Sequence, residues 1–475
     1  MNLSMVTDLY ELSMANGYQQ TIPDEEGIFD IFYRRVPDNG SFVVTAGLAQ
    51  AIDAVADFHF EKTDLAYLDS LHLFTEKFLL FLKDFHFSGE MTAVPEGTPI
   101  FPREPILTVR GPLIQVQLFE TLLLSIINHE SLIATKARRI TYAAQGRPIM
   151  EFGARRAQGP MSATFGARAA IIGGCASTSN LLTAKLFDVP SAGTMAHSWI
   201  EAFPSELAAF EKWAELYPDN CALLVDTYDV INSGVPNAIK VFGDLVKQGH
   251  QPIGIRIDSG DIAHLAKIAR QQLDAAGFEK AKITASNALD ETTIQSLLLN
   301  EKAPIDNFGI GEKLITSASD PVLSGVYKLV AVVHDGHLVP KIKISDSREK
   351  VTLPGLKKVY RLYNKQTHEA FADVITLADE EISANSQISV RSADPLDTRQ
   401  HSFLRDFDFK ALQTTIFDQG KPVYTSPTVK EIQAACRSAL KELPEESKRL
   451  SNPNKYPVYI SEELAQLQDQ LIGVD

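Results

Sequence analysis

Cysteine is scarce and basic charge is in deficit. The 475-residue chain has three cysteines, Cys175, Cys221 and Cys436, far apart and with no CxxC pair. That pattern excludes a disulfide framework and a structural zinc site, and it points to a reducing compartment. A formal net charge of -15 argues against general affinity for nucleic acid or anionic membrane. It leaves room for small anionic substrates, because a local group of arginines reverses the potential inside a cleft. A basic leader is missing too: the N-terminus MNLSMVTDLYELS meets Asp8 and Glu11 almost at once. The most apolar stretch, Leu118 to Asn128, is far short of the ~20 residues that span a bilayer and reads as a buried helix. A soluble, cytoplasmic protein is expected.

What is present is ordinary globular composition, 45% hydrophobic and 22% charged, in a chain long enough for two or three domains. The first part interleaves a helix-like TDLYELSMANGY, strand-like IFDIFYRRV and SFVVTAGL, a helical region (Asp64 to Phe87) and a Pro-rich, strand-like AVPEGTPIFPREPILTVRGPL. This is the pattern of an α/β sandwich. From about Pro148, short apolar runs end in polar or glycine-containing turns and are mostly followed by helix-like segments. They are RPIMEFGARR, VPSAGTMAHS, CALLVDTYD, QPIGIRIDSGD, AKITASNALDE and IDNFGIGEK. The better-spaced units recur every ~30 residues, the size of a β-crossover-helix unit. A parallel β/α barrel, complete or irregular, is predicted, with a doubly wound open sheet as the alternative. After about Pro321 the chain turns strand-rich again. The expected organisation is an α/β domain over 1–130, completed by 326–400, a barrel over 131–325 and a C-terminal extension over 401–475.

In a barrel, function gathers at the C-terminal strand ends. Those ends carry Arg155 and Arg156, Thr194 and His197, Asp226, Arg256 and Asp258, Ser286 and Asn287, then Gly309 and Gly311. Glycines and hydroxyls let backbone N–H groups cradle phosphate. Arginines hold carboxylate or pyrophosphate in bidentate fashion. Carboxylates bind ribose hydroxyls, magnesium or an oxocarbenium-like centre. The set suits a phosphorylated sugar reacting with an anionic partner. Each residue also has a plainer reading. DSGD serves equally as a turn with an N-cap, Arg256 and Asp258 as a structural ion pair, Arg155 and Arg156 as surface charge. His197 alone is more often a packed or surface residue than a catalytic one.

Taken in order, TDLYELSMANGY, EFGARRAQGP, GTMAHSWIEAF, RIDSGD, ASNALDE, GVYKLVAV and the tail RLSNPNKYPVYIS make the chain resemble the nicotinate phosphoribosyltransferases, type II phosphoribosyltransferases, over nearly its whole length. The resemblance implies an irregular barrel with an N-terminal α/β domain and a C-terminal extension, in a homodimer with shared active sites. It implies synthesis of nicotinate mononucleotide from nicotinate and phosphoribosyl diphosphate, with Mg2+, as the first step of NAD salvage from nicotinate. ATP would be hydrolysed through a phosphohistidine, a ligase-class coupling, at His197.

By the same resemblance, Tyr10 stacks on the pyridine ring from the partner subunit and Phe152 lies on its other face. Thr194 and Arg256 hold the nicotinate carboxylate, and Arg155 contacts nicotinate or pyrophosphate. Asp258 sits by ribose or magnesium. Ser286, Asn287, Gly309 and Gly311 wrap the 5′-phosphate, and Arg34, Lys343 and Lys350 supply partner-side charge to ATP or diphosphate.

Two local features bear on substrate. Nicotinamide-using relatives carry an aspartate a little beyond the EFG segment, whereas GGCASTSN (Gly173 to Asn180) has no acid, which favours the acid substrate. Glu312 in GIGEK stands where some relatives have threonine. A nicotinamide phosphoribosyltransferase remains the near alternative. Quinolinate phosphoribosyltransferases share the chemistry but are typically much shorter. A phosphosugar aldolase or isomerase is the alternative of another class, disfavoured by the absence of lysine at the strand ends; a non-catalytic nucleotide-binding protein would bind ligand without turnover.

Overall fold

The computed structural model describes residues 2–384, 387–397 and 401–473. Its contacts divide the chain into two compact units, 1–132 with 322–475, and 133–321. The helix Glu120–Ala143 runs across the first boundary. It contains most of the apolar stretch beginning at Leu118. Among the described residues no helix is long and apolar enough to cross a membrane.

The first unit is built on two large sheets, with a small two-stranded one of Val43–Val44 and Pro99–Ile100. In the seven-stranded one, Glu26–Tyr33 lies between Leu107–Pro112 and Gly325–His334, antiparallel to both. The chain therefore returns to this unit after the second. Phe29 and Tyr327, on adjacent strands, stack at 4.6 Å. Gly325–His334 and His337–Pro340 form a hairpin through Asp335 and Gly336, both at positive φ, the turn that an Asp-Gly pair favours. The six-stranded sheet centres on Lys357–Asn364, Ala370–Leu377 and Val458–Ser461. The stretch after residue 401 adds strands to both sheets. One apolar core collects residues of both sheets, among them Ile31, Val109, Val359, Ile375 and Ile460.

A buried polar group ties the C-terminal segment into this unit. Arg361 donates to both oxygens of Asp373, at 2.6 to 3.2 Å, and Tyr456 Oη donates to Asp373 at 3.0 Å. Tyr456 also stacks on Phe101 at 3.9 Å, with the Arg361 guanidinium near both rings. Burial works to lower the Arg361 pKa, but Asp373 outweighs it and the net shift is upward.

The second unit holds six parallel strands: β1 Ile149–Glu151, β2 Ser177–Thr178, β3 Ala222–Leu224, β4 Gly254–Ile257, β5 Lys282–Asn287 and β6 Asn307–Ile310. Their core residues, such as Leu223, Ile255, Ile283 and Phe308, are at most 1% exposed, and on β4 and β5 the polar Arg256, Thr284 and Ser286 alternate with them toward the other face. The spatial order is β2-β1-β6-β5-β4-β3, with Ser191 bridging Thr178 on the outer side of β2. Last strand pairs with first, and every other neighbour is next in sequence. That is the order of a β/α barrel whose hydrogen-bonded ring is open only between Ser191 and β3. A doubly wound sheet reverses its order partway and does not join its ends, so that alternative is excluded.

Local signals explain the crossovers. Asp261 caps Ile262–Ala275 by accepting the His264 N–H at 3.0 Å, and Gly277, at φ 85°, follows its end. Asp261 is thus the N-cap of the plainer reading. Asn180, Ser205 and Asp290 cap the helices that follow them in the same way.

Candidate active site

Arg256 is the centre of the strand-end group. It lies on β4, and three side chains accept from its guanidinium. Nε–H donates to Ser286 Oγ at 2.7 Å, Nη1 to Thr194 Oγ1 at 3.0 Å and Nη2 to Asp258 Oδ1 at 2.9 Å. Ser286, at the end of β5, in turn donates to the same Asp258 oxygen. Two residues apart on an extended chain, Arg256 and Asp258 face the same side, as alternation predicts. The ion pair of the plainer reading is therefore real, and it sits inside the predicted site.

Asp258 is itself fixed from below. Asp226, just beyond β3, accepts from the Asp258 backbone N–H at 3.1 Å and from Ser259 Oγ at 2.6 Å through one oxygen. Its other oxygen is buried with no hydrogen-bond partner among the described residues. His197 opens the short helix His197–Glu201. Its Nδ1 lies 3.0 Å from Thr227 Oγ1, and its Nε2 lies 3.9 Å from Asp258 Oδ2. With 39% of its side chain exposed, the imidazole is anchored on one side and open on the other.

Phe152 follows β1 and supplies an aromatic wall. The Arg256 guanidinium carbon is 5.7 Å from its ring centroid. Gly309, on β6, is small because of that ring: a Cβ there would lie 2.6 Å from two of its carbons. Gly311 sits at φ −111°, ψ −102°, outside the helical and extended regions, and precedes the short helix Glu312–Ile315. Asn287, at φ 123°, uses its side-chain oxygen to accept its own neighbour's N–H, from Ala288 at 2.7 Å. Arg155 and Arg156 are exposed on a 3-10 turn, and Glu312 pairs loosely with Arg156 at 3.7 Å. The Glu312 carboxylate thus has a cationic neighbour.

Three residues here were not singled out as contacts by sequence reasoning: Thr227, Glu151 and Thr178. A threonine at a strand end and a buried acid inside EFG carry no signal of their own. Glu151, fully buried, accepts from the Gly153 N–H and from Thr178 Oγ1 at 2.6 Å, and burial raises its pKa.

Tyr10, Arg34, Lys343 and Lys350 belong to the first unit. Tyr10 is 46% exposed on the helix Leu9–Thr21. The Arg34 Nε is buried with no hydrogen-bond partner among the described residues. Burial and then the charge of Arg34 push the Arg103 pKa down to about 10. Lys328, lowered first by burial, also feels Arg34 and Lys343, against the opposing pull of Glu120. Arg34 and Lys343 thus share a cationic neighbourhood with Arg103 and Lys328, which sequence reasoning did not single out. Lys343 and Lys350 are exposed, and nothing in their hydrogen bonds joins Lys350 to that group.

Residues 5–128 match the nicotinate phosphoribosyltransferase (NAPRTase) N-terminal domain, 148–375 the nicotinate phosphoribosyltransferase (NAPRTase) family, and 356–468 the nicotinate phosphoribosyltransferase C-terminal domain. The nicotinate phosphoribosyltransferase of Bacillus subtilis (strain 168) is 44% identical over 466 residues, 97% of this chain and 94% of its own. That of Homo sapiens is 32% identical, covering 98% of this chain and 96% of its own. The crystal structure of human nicotinic acid phosphoribosyltransferase superposes with a TM-score of 0.87 at 30% identity, over 98% of this chain and 99% of the other. A nicotinate-nucleotide pyrophosphorylase from Pyrococcus furiosus, at 23% identity and a TM-score of 0.70 over 93% and 95% of the two chains, shares the fold. By its matched domains and its full-length relatives, the chain belongs to the nicotinate phosphoribosyltransferase family.

Proposed function

We propose that this enzyme joins nicotinate to the phosphoribosyl group of phosphoribosyl diphosphate, forming nicotinate mononucleotide and pyrophosphate. The observation that carries the reading is Arg256, a guanidinium held in place by three acceptors beside the Phe152 ring. A fixed cation next to an aromatic wall suits a flat ring bearing a carboxylate. Thr194, on the same guanidinium, is assigned to the same carboxylate.

Glycosyl transfer passes through an oxocarbenium-like ribose. The pyridine nitrogen of nicotinate is already nucleophilic, so the protein's work is to align it with C1 and to stabilise developing charge. Asp258 supplies negative charge for the ribose. Ser286, Asn287, Gly309 and Gly311 are assigned to the 5′-phosphate, and Arg155 to pyrophosphate or nicotinate. No group of three or more His, Cys, Asp or Glu side chains among the described residues is arranged to hold a metal ion. Magnesium is commonly held by one or two carboxylates together with substrate phosphates, and Asp258 and Asp226 fit that mode. Bound there, Mg2+ would neutralise diphosphate charge.

His197 is assigned as the residue phosphorylated by ATP. Its anchored Nδ1 and half-open ring support that role, and the charge change beside Asp258 would tighten substrate binding and then aid release. Tyr10, Arg34, Lys343 and Lys350 are assigned to the partner's site in a cytoplasmic homodimer, Tyr10 on the pyridine ring and the cations on ATP or diphosphate. The exposure of Tyr10 and the unpaired Arg34 Nε support this.

The test is pyrophosphate release from phosphoribosyl diphosphate and magnesium with nicotinate, nicotinamide or quinolinate, each with and without ATP. Release with nicotinate, quickened by ATP, is expected. Release with nicotinamide alone would overturn the substrate, and silence with all three would overturn the reaction.

A further inference from the structure

Glu151 is an acid with no exposure, placed one residue before the aromatic wall of the site. Its carboxyl has two partners from different parts of the chain. One oxygen accepts the Gly153 N–H, closing the turn that carries Phe152. The other accepts from Thr178 Oγ1 at 2.6 Å, and that hydroxyl in turn accepts the Asn180 N–H at 3.0 Å. The Glu151 carbonyl also accepts the Ser179 N–H at 2.9 Å. The acid-free GGCASTSN segment is therefore fastened to an acid from the neighbouring strand.

The turn so closed has no slack. The Phe152 N–H donates to Ile310 O at 2.7 Å. A Cβ on Gly153 would lie 2.5 Å from Ile315, and one on Gly309 would lie 2.6 Å from the Phe152 ring. The ring is thus held by backbone before it, backbone beneath it and the Gly153 turn after it.

We propose that Glu151 is a positioning residue for the aromatic ring of the substrate: through Gly153 and Thr178 it sets the Phe152 ring at its distance from Arg256. This rests on the assignment of nicotinate to Phe152 and Arg256. An aromatic contact is short-ranged, so a ring displaced by a fraction of an ångström loses much of its hold on the pyridine. Gly309 and Gly311, assigned to the 5′-phosphate, border the Phe152 turn, but Gly309 is held in the β6 ladder, so the phosphoribosyl diphosphate KM is expected to move much less than the nicotinate KM. A buried acid with only a structural role would lower stability and the amount of folded enzyme, and it would leave both KM values unchanged.

The experiment measures KM for nicotinate and for phosphoribosyl diphosphate separately, with kcat and thermal midpoint, in wild type, Glu151→Ala, Glu151→Gln and Thr178→Val. Glu151→Ala is expected to raise the nicotinate KM about tenfold with the phosphoribosyl diphosphate KM within about twofold of wild type. Glutamine has the same shape and keeps the acceptor for Gly153, so Glu151→Gln is expected to restore most of the nicotinate KM. Thr178→Val is expected to move it the same way as alanine, by less. Unchanged nicotinate KM in Glu151→Ala and Thr178→Val, or an equal rise in both KM values, overturns the proposal. If Glu151→Ala does not fold, Thr178→Val decides alone by the same criterion. Wild type that does not turn over nicotinate refutes the underlying assignment instead, a separate result.

Discussion

Arg256 and Asp258 point to the same side of one extended segment and meet at 2.9 Å, while Ser286 bonds to both. The guanidinium is thereby neutralised in place, and on the proposed reading a substrate carboxylate would compete with Asp258 for it. Truncating the arginine removes the cation and leaves Asp258 with one fewer donor.

Arg256→Ala is expected to cost about 2–4 kcal/mol of nicotinate binding, a KM rise of roughly 30-fold or more. Steady-state kinetics with nicotinate varied will show it. An unchanged KM would place the carboxylate contact elsewhere.

His197→Asn is expected to abolish the gain from ATP and to leave slow, ATP-independent transfer. Initial rates with and without ATP, with a radiolabelled γ-phosphate to follow covalent labelling, separate the two. Loss of the ATP-independent rate as well would contradict that division of labour.

Gly309→Ala is expected to force the Phe152 ring outward, because the new Cβ lies 2.6 Å from it. Overpacking of this kind costs about 1–3 kcal/mol. Denaturant midpoints will show the loss, and the nicotinate KM is expected to rise with it. A variant with wild-type stability would mean that the ring moves freely.

Much of this candidate site was legible in the sequence, and the reason is local. Five of the predicted runs became strands with candidate site residues at or just beyond their ends, so Asp258 and Ser286 could be put on one face from the chain alone; the run before Thr194 forms only a bridge at Ser191, and the polar β2 carried no signal. Closure was not legible, because it depends on Ile310 pairing with Glu151, and nothing in either run names its partner. Thr227 and Thr178 were missed for the same reason. Their importance lies in what they touch, His197 and Glu151, and a threonine at a strand end looks like any other. In the first unit, Arg34 and Lys343 came from resemblance, while Arg103 and Lys328 emerged only with their shared environment.

Burial raises the Glu151 pKa, so the linkage has a definite sign. The stability it favours is fully present below the ordinary carboxylate pKa of about 4.3 and is lost as pH rises through the raised value. Glu151→Gln resembles the protonated acid at every pH. The difference in melting temperature, variant minus wild type, is therefore expected to grow as pH rises from acid towards neutral. A difference independent of pH would show that the carboxyl does not titrate differently on unfolding.

The Arg361–Asp373 pair predicts an asymmetry in stability. Asp373→Ala leaves a buried guanidinium without its counter-charge and is expected to cost about 3–5 kcal/mol. Arg361→Met combined with Asp373→Leu is expected to cost clearly less, because the guanidinium and its carboxylate leave together and the neighbouring buried Glu104, its pKa raised by burial, need not ionise. Urea unfolding of both variants checks this, and equal losses would refute it.

The barrel ring is open at one place, between Ser191 and β3, and His197 lies in the stretch of chain that crosses it. Everywhere else a strand end is stitched to its neighbours, and a shift there must break ladder bonds on both sides. At this seam the backbone is hemmed on one side only. The phosphorylation proposed for His197 would add a doubly charged group at this seam, where the barrel can yield without coming unsewn.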